Sequence, residues 1–190
     1  MNSNKIIQFN PFESRACRTV RNTLGQSLLA AIPTGEMGPV FRVSQKYAPA
    51  DADEVIKTYV NKRVASYRAV FTGMRSAGIQ TGDTWCIALL LWDQRLFFEC
   101  HEWLEKRWRR SEGTEKKMIQ ALIWSAGAYS HLEYGRIAAA GKLAARAIVG
   151  LNHCREQVPA MFNVDVLVNK LKALDPIPPK FSPTQPPERL

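Results

Sequence analysis

Apolar residues recur at helical spacing along most of the chain. Cys17, Val20, Leu24, Leu28 and Ala31 share one face, and Asn10-Pro11-Phe12-Glu13 ahead of them reads as a helix start. It offers an N-cap side chain, a proline whose missing N–H does no harm, and a carboxylate in the first turn. The spacing predicts a helix over 11–32, stopped by Pro33-Thr34-Gly35. Residues 35–48 carry Gly35, Gly38 and Pro39 near their start and are expected to form an irregular, mobile connection. Ile56, Val60, Val64, Tyr67, Phe71 and Met74 then mark a second buried stripe, preceded by Asp51, Asp53 and Glu54, where a helix dipole favours acids, and ending before Gly78.

The next segments are more apolar. Asp83 is placed to cap a short helix over 84–91, and Asp93 is expected to start a longer one over 94–110. Ser111-Glu112-Gly113 breaks that run, and a further helix over 116–134 ends at Gly135, a residue suited to a left-handed cap. Residues 137–151 are alanine-rich, which lets neighbouring helices approach closely, and Asn163 is placed to cap a last helix over 164–174. From Asp175 the sequence PIPPKFSPTQPPERL is too proline-rich to fold alone and reads as a tail or an extended strap. No strand candidate with period two and no internal repeat is found. The fold class is therefore all-α: a compact helical bundle of about six to seven helices with an extended proline-rich C-terminal tail. The expected organisation is an N-terminal helical extension of two helices over 1–83, a bundle core over 84–175, and the tail over 176–190.

Composition narrows the class further. Of 190 residues 46% are hydrophobic and 23% charged, which excludes a disordered chain, and 11 Gly and 4 Cys exclude collagenous and disulfide-stapled ones. Cys17, Cys86, Cys100 and Cys154 form no CxxC pair and read as reduced thiols. The first residues lack an apolar stretch of signal-peptide length, and the longest apolar run, residues 85–92, is less than half a membrane span. The expected location is the cytoplasm, without membrane contact. The formal net charge of +9 suits an anionic partner. Its excess lies mostly at the amino end, with Arg15, Arg18 and Arg21, so binding of RNA or DNA through the basic N-terminal helices is one alternative.

The distinctive chemistry is central. Trp85, Trp92, Trp103, Trp108 and Trp124 lie within one stretch together with Phe97 and Phe98, and aromatics this dense usually build a core. On a helical wheel with Phe97 at zero, His101 falls at about +40° and Glu105 at about +80°, while Glu102 lies at about 140° and Glu99 on the outer face at about 200°. In the following helix Gln120, Trp124, Gly127, His131 and Tyr134 make a second face beside the apolar one. An antiparallel pairing of these two helices brings Glu105 near Gln120 and His101 near Trp124. It leaves His131 closer to the level of Asp93 and Arg95.

The run LFFECHEWLEKRW (residues 96–108), followed by IQALIWSAGAYSHLEYG (residues 119–135), resembles the family catalogued as domain of unknown function 309, over residues 84–175. The resemblance implies a compact helical bundle with a candidate pocket and no established activity. The family pattern often has Gln where this chain has Trp124.

Three readings of the cluster follow. The leading one makes His101, Glu102, Glu105, Gln120 and His131 a buried hydrogen-bond network that fixes helix register in a binding or adaptor protein. Its partner would be a protein or a small polar ligand, met by the basic helices, the 35–48 connection or the tail. A second reading is an enzyme acting on a small polar substrate, with Glu102 or Glu105 as general base and His101 or His131 as acid. In its metal-assisted form His101, Glu105 and His131 are the ligands. The third reading is nucleic-acid binding. No phosphate loop, dinucleotide fingerprint or nucleophile elbow names a cofactor or a reaction.

Overall fold

The computed structural model describes residues 8–181. Among them are eight α-helices, two short 3-10 turns and no strand. The helices are α1 (Arg15–Ala31), α2 (Gly38–Tyr47), α3 (Glu54–Ser76), α4 (Thr84–Asp93), α5 (Phe97–Trp108), α6 (Gly113–Leu132), α7 (Ile137–His153) and α8 (Val164–Lys172). The all-α class expected from the periodicity holds, with one helix more than expected. No described helix is long and apolar enough to cross a membrane. The chain divides into two compact units, one up to Thr72 and one from Gly73 onward.

In the first unit the stripes read from the sequence are buried: Cys17, Val20, Leu24, Leu28 and Ala31 on α1, and Ile56, Val60, Val64, Tyr67 and Phe71 on α3. Two expectations are corrected. Helix α1 begins at Arg15, because residues 10–13 form a turn of their own. The Asn10 side chain accepts from Phe12 N at 3.0 Å, and Arg18 donates to the carbonyls of Pro11 (2.9 Å) and Phe12 (3.1 Å). Ser14 is the N-cap, accepting from Cys17 N. The connection over 35–48 is not irregular. Pro39 sits in the first turn of α2, where its fixed φ suits a helix start, and Val40 is fully buried. The Tyr47 hydroxyl at its far end donates to Thr23 Oγ1 of α1 at 3.3 Å.

The second unit is a helical bundle with α6 in its middle, making its most extensive contacts with α7 and then α5. Asp83 caps α4 as predicted, accepting from Trp85 N and Cys86 N. Asp93 does not start α5, which is the third correction. Helix α4 runs on to Asp93 and closes with Arg95 in the left-handed region (φ 57°), where Leu96 N donates to Leu91 O at 2.9 Å. Helix α5 starts only at Phe97.

Gly135, at φ 66°, ends α6 as expected, with Arg136 N donating to His131 O at 3.0 Å. The alanine-rich helix α7 buries Ala140, Ala144, Ala147 and Leu151 and comes very close to α6. A Cβ added at Gly150 would stand 2.8 Å from Ala121 Cβ, and one at Gly127 would stand 3.1 Å from Leu143 Cδ1. The Asn163 cap of α8 is present, accepting from Val166 N at 3.1 Å.

After α8 residues 176–181 lie back along the bundle. Residues 182–190 of the proline-rich segment lie outside the described residues. Trp92 Nε1 donates to Pro179 O at 2.8 Å, and Phe181 N donates to Asp93 Oδ1 at 2.9 Å. The ring of Phe181 packs on Trp92 and Phe162, each with centroids 5.4 Å apart. Asp175 anchors the start of the strap, accepting from Lys170 Nζ at 2.6 Å and from Ile177 N at 2.8 Å.

Those two donors hold the Asp175 carboxyl below its ordinary range. A depressed carboxyl stabilises the fold fully above its ordinary pKa, and that contribution is lost as pH falls through the lower folded value. Trp92 fluorescence is therefore expected to shift to the red on acidification below the ordinary carboxylate range, ahead of the loss of helical circular dichroism. Asp175→Ala should show the shifted spectrum already at neutral pH.

Candidate functional site

Helices α5 and α6 form the antiparallel pair that the turn at 111–113 implied. Arg107 binds Glu115 across it at 2.6 Å, Lys116 Nζ lies 4.6 Å from the Trp108 ring centroid, and Phe97 stacks on Tyr129 with centroids 5.3 Å apart. This register puts His101 level with Trp124 and its neighbours. His131 lies level with Arg95, about 9 Å along the axis from His101 at 1.5 Å per residue.

Each predicted site residue then has its own surroundings. His101 Nδ1 is enclosed and lies 3.4 Å from Glu102 Oε1, so these two are brought together. Glu105 forms an ion pair with Arg109 at 2.8 Å. His131 Nδ1 accepts from Arg136 Nε at 3.2 Å. Gln120 lines a groove between α6 and α7. All five residues are partly exposed, which corrects the expectation that they form one buried network. The metal set His101, Glu105 and His131 is corrected too. Among the described residues no group of three or more His, Cys, Asp or Glu side chains could hold a metal ion, because the register carries His131 away and Arg109 occupies Glu105.

The carboxylate that is buried is Glu99, expected on the outer face and found with no exposure. The reason is that α5 is covered on two sides. It meets α6 through Phe97, and it meets α4 through Cys100 Sγ, which donates to Ala88 O, and Trp103 Nε1, which donates to Thr84 O at 3.0 Å. The signal was present in the sequence: Trp103, one turn after Glu99 and about 40° away on the wheel, marks a second apolar stripe beside it. Burial and then the Glu99 charge push the Cys100 thiol far up, so it stays protonated. Tyr129 is also buried, its hydroxyl finds no hydrogen-bond partner among the described residues, and burial pushes its pKa up, so the phenol stays protonated. All four cysteines are free thiols, as expected. Cys86, the more exposed one, is pushed up to about 11 by burial and by its hydrogen bond to Asp83.

The tryptophans divide. Trp92 and Trp103 are buried, as an aromatic core requires. Trp108 and Trp124 instead line the groove, which has a volume of about 800 Å³. Its walls are almost wholly apolar, and Val149 on its rim is 72% exposed. Lys116, Lys117 and Arg146 also line it, and no acidic residue does. The basic N-terminal face is less free than its charge suggests. Arg18 is bound to the turn carbonyls, and Arg21 lies over the Phe12 ring and donates to Asn22.

Residues 87–143 match the model of the family described as Domain of unknown function (DUF309). The resemblance read from the two linked motifs thus holds over a span running from α4 into the first half of α7, shorter at its carboxyl side than the sequence reading had it. No curated protein and no solved structure matches the chain.

The floor of the groove depends on the contact of Gly150 with Ala121. Gly150→Ala is expected to destabilise the protein by about 1–3 kcal/mol through overpacking, measured by urea unfolding. Adding Ala121→Gly should restore most of the loss, since the clash is between those two Cβ positions.

Proposed function

We propose that the chain is a binding protein of adaptor type, in which Glu102, Glu105 and His131 serve helix placement instead of catalysis and recognition falls to the apolar groove. The observation that carries this reading is that two of the groups best suited to proton transfer are each engaged by an arginine. The Glu105 carboxylate accepts from the Arg109 guanidinium at 2.8 Å, which occupies an oxygen that a general base would offer to its substrate. The His131 imidazole accepts from Arg136 Nε at Nδ1, so that nitrogen is occupied within the chain. The apolar groove between α6 and α7, with two tryptophans in its wall, supports binding over turnover.

A metabolite screen on the native protein tests this. Any compound retained should be recovered chemically unchanged, and Glu102→Gln and Glu105→Gln should retain it equally. Glu105→Gln should change stability by no more than about 0.5 kcal/mol, as for an exposed ion pair. Conversion of a retained compound that stops in either glutamine variant would favour the enzyme reading.

A further inference from the structure

Resting on the binding reading, we propose that the groove between α6 and α7 is a docking site for a short acidic peptide segment of a partner protein, in which carboxylates flank large apolar side chains.

The geometry comes from the antiparallel pairing of the two helices. Gly150 lies on Ala121, Gly127 lies against Leu143, and Cys154 Sγ reaches Thr114 O at 4.0 Å. On this register Arg146 stands level with Trp124, whereas Lys116 and Lys117 stand level with His153. The groove is therefore basic at both ends, and the two ends lie about 10 Å apart, seven residues at 1.5 Å per residue. Between them the walls are apolar, from Trp108, Trp124 and Val149. The same spacing separates side chains two helical turns apart on one face of an α-helix, or three to four residues apart in an extended strand.

Charge complementarity selects the occupant. No acidic residue lines the groove, and neither Lys117 nor Arg146 has an acidic partner among the described residues. A ligand with carboxylates at both ends would neutralise them, and a basic or uncharged one would not. A peptide segment laid along the groove spans both basic ends and covers the exposed side chain of Val149. Tryptophan and arginine are the residue types that most often carry the energy of such contacts.

The experiment is selection of a display library of random 12-residue peptides on the full-length protein, with counter-selection on Lys117→Glu/Arg146→Glu. Both substituted residues are exposed, so the variant is expected to keep the native melting temperature. The expected result is enrichment of peptides with acidic residues flanking Leu, Phe or Trp. Their binding should weaken at least about tenfold in the charge-reversed variant and in Val149→Glu, and should fall as salt is raised. Enriched peptides that are basic or uncharged, equal binding to the variants, or no enrichment at all would overturn the proposal. So would concentration-dependent dimerisation of the native chain that Val149→Glu abolishes, which would make a second copy the occupant. Peptides that bind elsewhere and ignore these variants would remove this site while leaving the binding reading intact. Catalytic conversion in the metabolite screen would remove the binding reading itself.

Discussion

The second unit is organised by the close approach of α6 and α7, which depends on having almost no side chain where they touch. Gly150 lies against Ala121, and Gly127 lies under Leu143. Two helices that meet through such residues bring their backbones near each other, and larger side chains on either side of the contact are pushed apart. Trp108 and Trp124 stand beside this contact on one side, so a tight seam and an open groove are two results of one packing choice. Helix α6 then takes α5 on its other flank, and the aromatic cluster of Phe97, Trp92 and Tyr129 fills that side, with ring centroids 5.2 to 5.3 Å apart.

Much of this was legible in the amino-acid order, and the misses have physical causes. The stripes of α1 and α3, the Asp83 and Asn163 caps and the left-handed Gly135 all follow from local chemistry that needs no tertiary information. The break between α4 and α5 was misplaced because the left-handed residue there is Arg95, and a positive φ is ordinarily signalled by glycine. Helix α2 is not legible in the sequence because Gly38-Pro39 reads as a breaker, although a proline in the first turn is equally a beginning.

The candidate site was less legible than the fold. A helical wheel finds the main apolar face of one helix but not how many neighbours the helix will have. Assigning a single buried face to α5 therefore put Glu99 outside and His101 inside, when the glutamate is the more buried of the two. Arginine pairing was also hidden, since Arg109 and Arg136 read as surface charge until the helix ends were placed. The groove was half visible. Its α6 wall, Gln120 and Trp124, was recognised as a second occupied face, but the matching wall belongs to a helix that carries no distinctive chemistry.

The strap gives the family match a particular meaning. The indole of Trp92 finds its carbonyl at Pro179, and Asp93 is met by Phe181, both far downstream of residue 143, where the match ends. A polypeptide excised at the limits of the match would keep the α5–α6 hairpin but lose Gly150, all of α8 and the acceptor for a buried donor. The matched segment is therefore only part of the packed unit in this chain, whose buried indole is completed from outside it.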